Sequence, residues 1–205
     1  MLRRGLRIGL LGGSFNPAHD GHRHLSLNAL RMLGLDQVWW LVSPQNPLKP
    51  ASGMASLDDR RAHAEKVARH PRIRVSDIET RLGTTYTADT LTRLTQRFPH
   101  HRFVWLMGAD NLDQLPRWKH WEQLMGTVPV AVFDREPYSL TVLGQRAASR
   151  FRRFFWQQAD GRALAEAAPP AWGYFRMKRH PLSATTIRSL GATPWPVSDA
   201  PTMED

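Results

Sequence analysis

Two histidines spaced three positions apart follow a pair of glycines near the start of the chain. They are His19 and His22 in the segment GGSFNPAHDGH, which begins at Gly12 and Gly13. An imidazole can donate a hydrogen bond to a phosphate oxygen whose negative charge shifts during phosphoryl transfer. The two glycines have no side chain, so a phosphate can approach their backbone N–H groups. The segment therefore predicts a phosphate site with two imidazoles.

The elements on either side of this segment place it at the end of a strand. The apolar run over 6–12 predicts a strand buried on both faces, and 22–33 has the apolar spacing of a helix. Parallel sheets bind ligands at the carboxyl ends of their strands, and His22 falls in the first, positive turn of the helix. We expect the phosphate site at this strand-to-helix turn.

The segment admits other interpretations. It lacks the Gly-Lys-Ser/Thr ending of a P-loop and the G-x-G-x-x-G spacing of a dinucleotide site. A zinc pair would need a third ligand and a regular helix beneath both histidines, which Asn16-Pro17 disfavours. Ordinary surface histidines in a turn remain an alternative, and for His24 we favour that interpretation.

A second segment near the C-terminus has the composition of an anion site. Ser183 and Thr185 open a helix predicted over 183–190, and Arg188 lies one turn further along. Hydroxyl and N–H groups at a helix start can bind phosphate, and a guanidinium can reach the same anion with two bonds. The alternative is a capped helix with a surface arginine.

The whole chain alternates between strand and helix patterns. Strands are predicted over 6–12, 37–42, 72–75, 101–108, 128–133 and 172–177, and helices over 22–33, 57–69, 87–97, 110–114, 118–125, 139–153 and 183–190. This order predicts an α/β fold with a doubly wound, Rossmann-like parallel sheet. We expect a single domain over 1–205 with an irregular tail from about 191, and 154–171 has no clear pattern.

Composition narrows the function classes. The chain has no cysteine, which excludes disulfides, thiolate metal sites and a cysteine nucleophile. Its formal net charge of +10 fits either nucleic-acid binding or an arginine-rich solvated surface, and we favour the second because the basic residues are dispersed. No apolar run reaches the length of a membrane helix, so we expect a cytoplasmic protein without a membrane partner.

The segment GGSFNPAHDGH resembles the signature of the nucleotidyltransferase superfamily, whose His-x-Gly-His motif binds ATP phosphates. That superfamily ends its catalytic domain with Ile-Ser-x-Thr-x-x-Arg, and here Leu182 stands in place of the isoleucine. The resemblance implies catalytic roles for His19, His22 and Arg188. The ATP-binding residues that it implies are Gly12, Gly13, Ser14, Phe15, His19, His22, Gly108, Asp110, Ser183, Thr185 and Arg188.

Three further segments are similar to bacterial nicotinate-nucleotide adenylyltransferases: SPQNPLK from 43, TTYTADTL from 84 and GADNLDQLPRW from 108. The resemblance spans 6–190 and implies transfer of the adenylyl group of ATP to nicotinate mononucleotide, releasing pyrophosphate. The substrate-binding residues expected are Asn16, Lys49, Thr85, Trp118 and Arg135. Where the family often has Arg-Arg-Pro-Gly, this chain has Asp134-Arg135-Glu136-Pro137, which weakens the assignment of Arg135.

These residues fit that acceptor chemically. Lys49 can meet a phosphate as a point charge, and Thr85 can hydrogen-bond the ring carboxylate. Trp118 offers a flat face to a pyridinium ring, whereas for Trp121 we favour core packing.

The expected mechanism is direct in-line attack of the acceptor phosphate on the α-phosphorus, with Mg²⁺ bridging the ATP phosphates and no dedicated protein metal site. The partners expected are thus ATP and nicotinate mononucleotide, without nucleic acid, and the sequence allows a homo-oligomer. The alternatives are another acceptor, such as nicotinamide mononucleotide or phosphopantetheine, and an inactive relative that binds nucleic acid.

Overall fold

A parallel sheet runs through the molecule. The computed structural model describes residues 5–44, 54–134 and 143–177, and within these ranges the sheet has seven strands in the order β3-β2-β1-β4-β5-β7-β6. The strands are β1 (Arg7–Gly13), β2 (Gln37–Val42), β3 (Ile73–Ser76), β4 (Arg102–Gly108), β5 (Val130–Phe133), β6 (Phe155–Trp156) and β7 (Trp172–Phe175). All neighbouring pairs are parallel.

Helices cover both faces of this sheet. In the described ranges they are α1 (Asp20–Met32), α2 (Leu57–Ala68), α3 (Ile78–Leu82), α4 (Thr87–Arg97), α5 (Ala109–Gln114), α6 (Trp121–Thr127), α7 (Arg146–Arg150) and α8 (Gly161–Leu164). Side chains of one strand alternate between the two cores. Ile8 and Leu10 of β1 join the core under α4 to α7, whereas Leu11 joins the core under α1 and α2. The predicted α/β fold with a doubly wound parallel sheet is confirmed.

The strand order defines where a ligand site belongs. From β1 the chain moves outward to β2 and β3, then returns to place β4 on the other side of β1. The crevice at the carboxyl ends of β1 and β4 is the switch point at which doubly wound sheets bind ligands.

The structure corrects the sequence prediction in the last third of the described chain. The helix predicted over 139–153 is shorter, with α7 ending at Arg150 and a 3-10 turn following at Arg152–Phe154. The reason is tertiary packing: this turn places Phe151 and Phe154 on the core while the neighbouring arginines stay exposed. Residues 154–171, which had no clear pattern, contain β6 and α8.

Two smaller differences concern helices near the site. The helix predicted over 118–125 begins instead at Trp121, because His120 before it adopts a left-handed φ of 56°. The short helix α3 was not predicted. The helix predicted over 183–190 and the tail from about 191 lie outside the described residues. No helix in the described ranges is long and apolar enough to cross a membrane.

Candidate active site

The switch point brings two glycine-containing turns side by side. Leu11 of β1 pairs with Leu106 of β4, so Gly13 and Gly108 end their strands at nearly the same level. Asp110 lies two residues beyond, in the first turn of α5. The sheet therefore brings together the predicted ATP-binding residues of both turns.

Gly12 is required by close packing. A Cβ atom built on Gly12 would lie 2.4 Å from Cη2 of Trp105, a buried residue of β4. The indole of Trp105 in turn meets the ring of Trp118 edge to face, with centroids 6.4 Å apart. This contact places Trp118, which is partly buried, beside the end of β1. Trp121, for which core packing was favoured, meets Phe151 edge to face.

The two histidines are held by the start of α1. His19 is the N-cap residue, and its Nδ1 accepts a hydrogen bond of 3.1 Å from the backbone N–H of Gly21. His22 is the third helical residue, and its Nδ1 accepts a bond of 3.2 Å from the N–H of His19. The two rings lie 3.8 Å apart between centroids. The predicted position of His22 in the first turn is therefore what the structure has.

These backbone bonds determine the tautomer of both rings. A nitrogen that accepts a bond carries no proton, so each neutral imidazole has its proton on Nε2. Each Nε2–H is then a donor, as the proposed phosphate contacts require. The partly positive N-terminus of α1 adds to the attraction for an anion at this place.

Phe15 lies between the glycines and the histidines in an unusual conformation. Its φ of 47° is left-handed, and its ring is 2% exposed. The ring stacks on Trp40 at 5.0 Å and contacts His22 at 4.8 Å between centroids. The predicted role of Phe15 in ATP binding is thus restricted to its backbone, because the side chain packs in the core.

Contacts around Tyr86 place the predicted acceptor residues on neighbouring segments. Lys119 Nζ lies over the ring of Tyr86, 4.4 Å from its centroid. Thr85, which is exposed, directly precedes Tyr86, and Trp118 directly precedes Lys119. A cavity of about 400 Å³ opens beside Thr85 and Tyr86, and its other lining residues, such as Arg93 and Gln123, belong to α4 and α6 rather than to the segment of Trp118. The contact of Lys119 with Tyr86 is therefore what brings the two segments together.

A buried carboxyl group lies beneath the same segment. Glu79 of α3 is 5% exposed, and the side chains of Ser43 and Thr90 lie near its carboxyl group. Burial raises the pKa of Glu79 from 4.5 to about 7, and the two neighbouring hydroxyl groups oppose the shift. Thr90 also exchanges a 2.8 Å hydrogen bond with Thr84, which directly precedes Thr85.

Five of the predicted site residues lie outside the described ranges. They are Lys49, Arg135, Ser183, Thr185 and Arg188. Asn16 lies inside them, and its Oδ1 accepts a hydrogen bond of 3.2 Å from the backbone N–H of Ala55. Ser14 follows the two glycines, and its carbonyl accepts a bond of 2.6 Å from Arg60.

Sequence reasoning missed Arg60, which the structure places beneath the glycine-rich turn. It is 1% exposed and shares one face of α2 with Ala64 and Ala68, at intervals of four residues. The only sequence signal was an arginine at the head of a stripe of small residues, where an apolar side chain would normally stand. Such a pattern predicts that the arginine is buried, but it does not show which groups the arginine bonds.

A second cavity, of about 440 Å³, lies at the opposite end of the strands. Arg7, Asp36, Arg102 and Glu166 border it and form ion pairs with one another. The amino ends of parallel strands are not where these sheets bind ligands. The crevice at the carboxyl ends is therefore the candidate active site.

Comparison with known proteins finds similar chains over nearly the whole length of this one. The model of the cytidylyltransferase-like family matches residues 10–190. A protein of Parvibaculum lavamentivorans named "Probable nicotinate-nucleotide adenylyltransferase" is 55% identical over 191 residues, which are 93% of this chain and 95% of that protein. A protein of the same name from a Bradyrhizobium species is 50% identical over 184 residues, covering 90% of this chain and 96% of its own.

Solved structures share the fold. The Plasmodium falciparum nicotinic acid mononucleotide adenylyltransferase complexed with NaAD has a TM-score of 0.67 at 15% identity, over 89% of this chain and 82% of that chain. A Vibrio parahaemolyticus protein described as a nicotinate-nucleotide adenylyltransferase has a TM-score of 0.51 at 18% identity, over 71% of this chain and 78% of its own.

Proposed function

This chain belongs to the cytidylyltransferase-like family, among the nicotinate-nucleotide adenylyltransferases, and we propose that it makes nicotinate adenine dinucleotide. It transfers the adenylyl group of ATP to nicotinate mononucleotide and releases pyrophosphate, as a step of NAD synthesis. The observation that carries this proposal is the meeting of the two turns, at Gly13 and Gly108, beside His19 and His22.

The chemistry is a direct displacement. A phosphate oxygen of nicotinate mononucleotide forms a bond to the α-phosphorus of ATP, and the bond from that phosphorus to the bridging oxygen breaks. Pyrophosphate leaves with the electron pair. A magnesium ion bound to the ATP phosphates would supply positive charge that stabilises the leaving group, and it would need at most one or two ligands from the protein.

His19 and His22 stabilise the charge that builds up on the phosphate oxygens. Their Nε2–H groups are fixed as donors by the backbone bonds to each Nδ1. Donors that are already oriented cost no reorganisation during the reaction, which is the main source of this kind of stabilisation. Gly13 leaves room for the phosphates beside the helix start, whereas Gly12 has no side chain because Trp105 fills that space.

The acceptor binds between the segments of Thr85 and Trp118. The contact of Lys119 with Tyr86 supports this placement, because it ties the two segments together. Trp118 stacks on the pyridinium ring, whose positive charge is attracted by the indole face. Thr85 and nearby N–H groups bind the ring carboxylate.

The remaining assignments rest on the family resemblance. Lys49 and Arg135 bind substrate phosphate, and Ser183, Thr185 and Arg188 bind the β- and γ-phosphates of ATP. The chain works as one domain over 1–205 in the cytoplasm, where ATP is available.

The test is product analysis. Purified protein with Mg-ATP and nicotinate mononucleotide should give equal amounts of nicotinate adenine dinucleotide and pyrophosphate, identified by chromatography and mass. Omitting the acceptor should abolish pyrophosphate release. Pyrophosphate without dinucleotide, or no product in either reaction, would contradict the proposal.

A further inference from the structure

The buried guanidinium of Arg60 connects two loops that lead to the active site. Its Nη1 donates hydrogen bonds of 2.6 Å to the carbonyl of Ser14 and 2.8 Å to that of Ser43. Its Nη2 donates 3.1 Å to the carbonyl of Pro44, and its Nε donates 2.9 Å to that of Ala55. One side chain thus fixes the turn after β1, the chain leaving β2 and the approach to α2.

Two other contacts fasten the same turn to the start of α2. His63 Nε2 lies 3.1 Å from the carbonyl of Ala18, which directly precedes His19. The N–H of Ala55 donates to Asn16 Oδ1 at 3.2 Å. The turn from Ser14 to Ala18 is therefore held at three points by residues 55–63, before α1 begins.

Ser43 extends these contacts toward the acceptor side. Its N–H donates 3.0 Å to the carbonyl of Gly13, and its side chain lies close enough to the carboxyl group of Glu79 to lower the pKa of that group. The backbone carbonyl of Glu79 accepts a hydrogen bond of 3.0 Å from the N–H of Thr84, and Thr84 Oγ1 bonds Thr90 Oγ1 at 2.8 Å. The chain that Arg60 holds after β2 thus lies next to the element that leads to Thr85.

Arg60 also places a positive charge beneath the glycine-rich turn. Among the described residues, no carboxylate lies within 4.0 Å of its guanidinium nitrogens, and its partners are neutral carbonyls. Arginine stays protonated even when buried. Its charge is therefore not cancelled by a direct ion pair, and it adds to the positive potential beneath the turn where phosphates bind.

We propose that Arg60 is a positioning residue for adenylyl transfer, which holds the turn bearing His19 in register with the chain that leaves β2. It contacts neither substrate and acts through Ser14 and Ser43. A guanidinium is suited to this work because its planar fork reaches several carbonyls at fixed angles, whereas a lysine ammonium is one compact point. This inference rests on the proposed reaction.

The experiment compares Arg60→Lys and Arg60→Met with the wild type at saturating Mg-ATP and nicotinate mononucleotide. We expect kcat to fall about tenfold in Arg60→Lys and about a hundredfold in Arg60→Met, because a shift near 1 Å in a reacting group costs about that much. KM for each substrate should change less than about threefold, since the direct substrate contacts remain. Arg60→Lys keeps the positive charge but loses the planar guanidinium group. Comparing its kcat with that of Arg60→Met therefore shows how much of the loss comes from geometry and how much from charge.

Arg61→Met is the matched control on the same helix. Arg61 is partly exposed and pairs with Asp58 and Glu65, so its loss should leave kcat unchanged. Thermal midpoints and circular dichroism of each variant show whether it is folded at the assay temperature. If Arg60→Met does not fold, Arg60→Lys alone decides the question.

The outcomes separate the inference from the reaction on which it rests. Failure of the wild type to make dinucleotide would overturn the proposed function. If the wild type is active and the folded Arg60→Lys variant has the same kcat, Arg60 has no positioning role and only a structural one. A change confined to KM would also overturn it, since that pattern indicates lost substrate binding.

Discussion

At the scale of single residues, the two imidazoles are oriented before any substrate arrives. His19 and His22 accept backbone N–H bonds at Nδ1, which leaves the other ring nitrogen of each as the donor. The sequence predicted these residues and the position of His22, because the string around them is local and specific. It did not predict the tautomers, which depend on the capping geometry of α1.

Replacing His22 with Ala should lower kcat by about 10²–10³-fold, since one donor to the developing charge is lost. The His22→Ala protein should stay folded, losing about 1 kcal/mol of stability with the capping bond from His19. Steady-state kinetics and thermal unfolding measure the two effects. His24→Ala, on the same helix and outside the site, should keep normal turnover, and near-normal turnover of His22→Ala would remove its assigned role.

The raised pKa of Glu79 predicts that the stability of the protein depends on pH. Its pKa rises from 4.5 to about 7 on folding, so the folded state binds more protons than the unfolded state between these values. Stability must then fall as pH rises through this window and level off above about 7. Glutamine at this position cannot ionise. As pH rises through this window, the free energy of unfolding of Glu79→Gln should therefore increase relative to that of the wild type, by about 3 kcal/mol at most.

Denaturant unfolding of wild type and Glu79→Gln at several pH values measures this difference. Glu166→Gln, an exposed carboxylate at the other end of the strands, is the control. A stability difference that does not change between about pH 5 and pH 8 would show that Glu79 titrates normally.

At the scale of elements, the site depends on how closely β1 approaches β4. Trp105 fills the space beneath Gly12, and Trp118 packs against its edge. A side chain at position 12 would therefore disturb the glycine-rich turn and the acceptor side together.

Gly12→Ala should destabilise the protein by about 1–3 kcal/mol, because the new methyl group overlaps the indole of Trp105. Thermal unfolding measures the loss, and kcat should fall as well. Gly126→Ala is the control, since a Cβ at this exposed position in α6 meets nothing within 4 Å. It should be neutral or slightly stabilising, because alanine favours helix. Equal stability of the two variants would contradict the close packing.

The elements that sequence predicted well are those set by local pattern. The strand over 37–42 and the helix over 87–97 have the predicted bounds in the structure. The helix over 139–153 was predicted too long, since packing of Phe151 and Phe154 ends it early. Arg60 could not be predicted as a connector, because its carbonyl partners lie up to 46 positions away and any residue type can supply a carbonyl.

At the scale of the whole molecule, the net charge of +10 matters for substrates that are anions. The arginines at 146, 150, 152 and 153 are exposed, with Arg150 paired to Glu122 and Arg153 lying over Phe154. This is the pattern of a solvated surface, and it adds to a positive field that attracts nucleotides.

Raising the salt concentration from about 0.05 M to about 0.5 M should lower kcat/KM for nicotinate mononucleotide several-fold, because salt screens the attraction. The value of kcat at saturation should change little. Initial rates over this range measure both, with thermal midpoints in the same buffers as the control. A kcat/KM that is independent of salt would show that the net charge does not assist binding.

The most direct test of the central claim is the choice of acceptor. Initial rates of pyrophosphate release are measured with Mg-ATP and either nicotinate mononucleotide or its amide. We predict rapid release with the acid and little with the amide, because in the proposed site Thr85 and its neighbouring N–H groups bind a ring carboxylate. Equal release with both, or release with neither, would contradict the acceptor site built around Thr85 and Trp118.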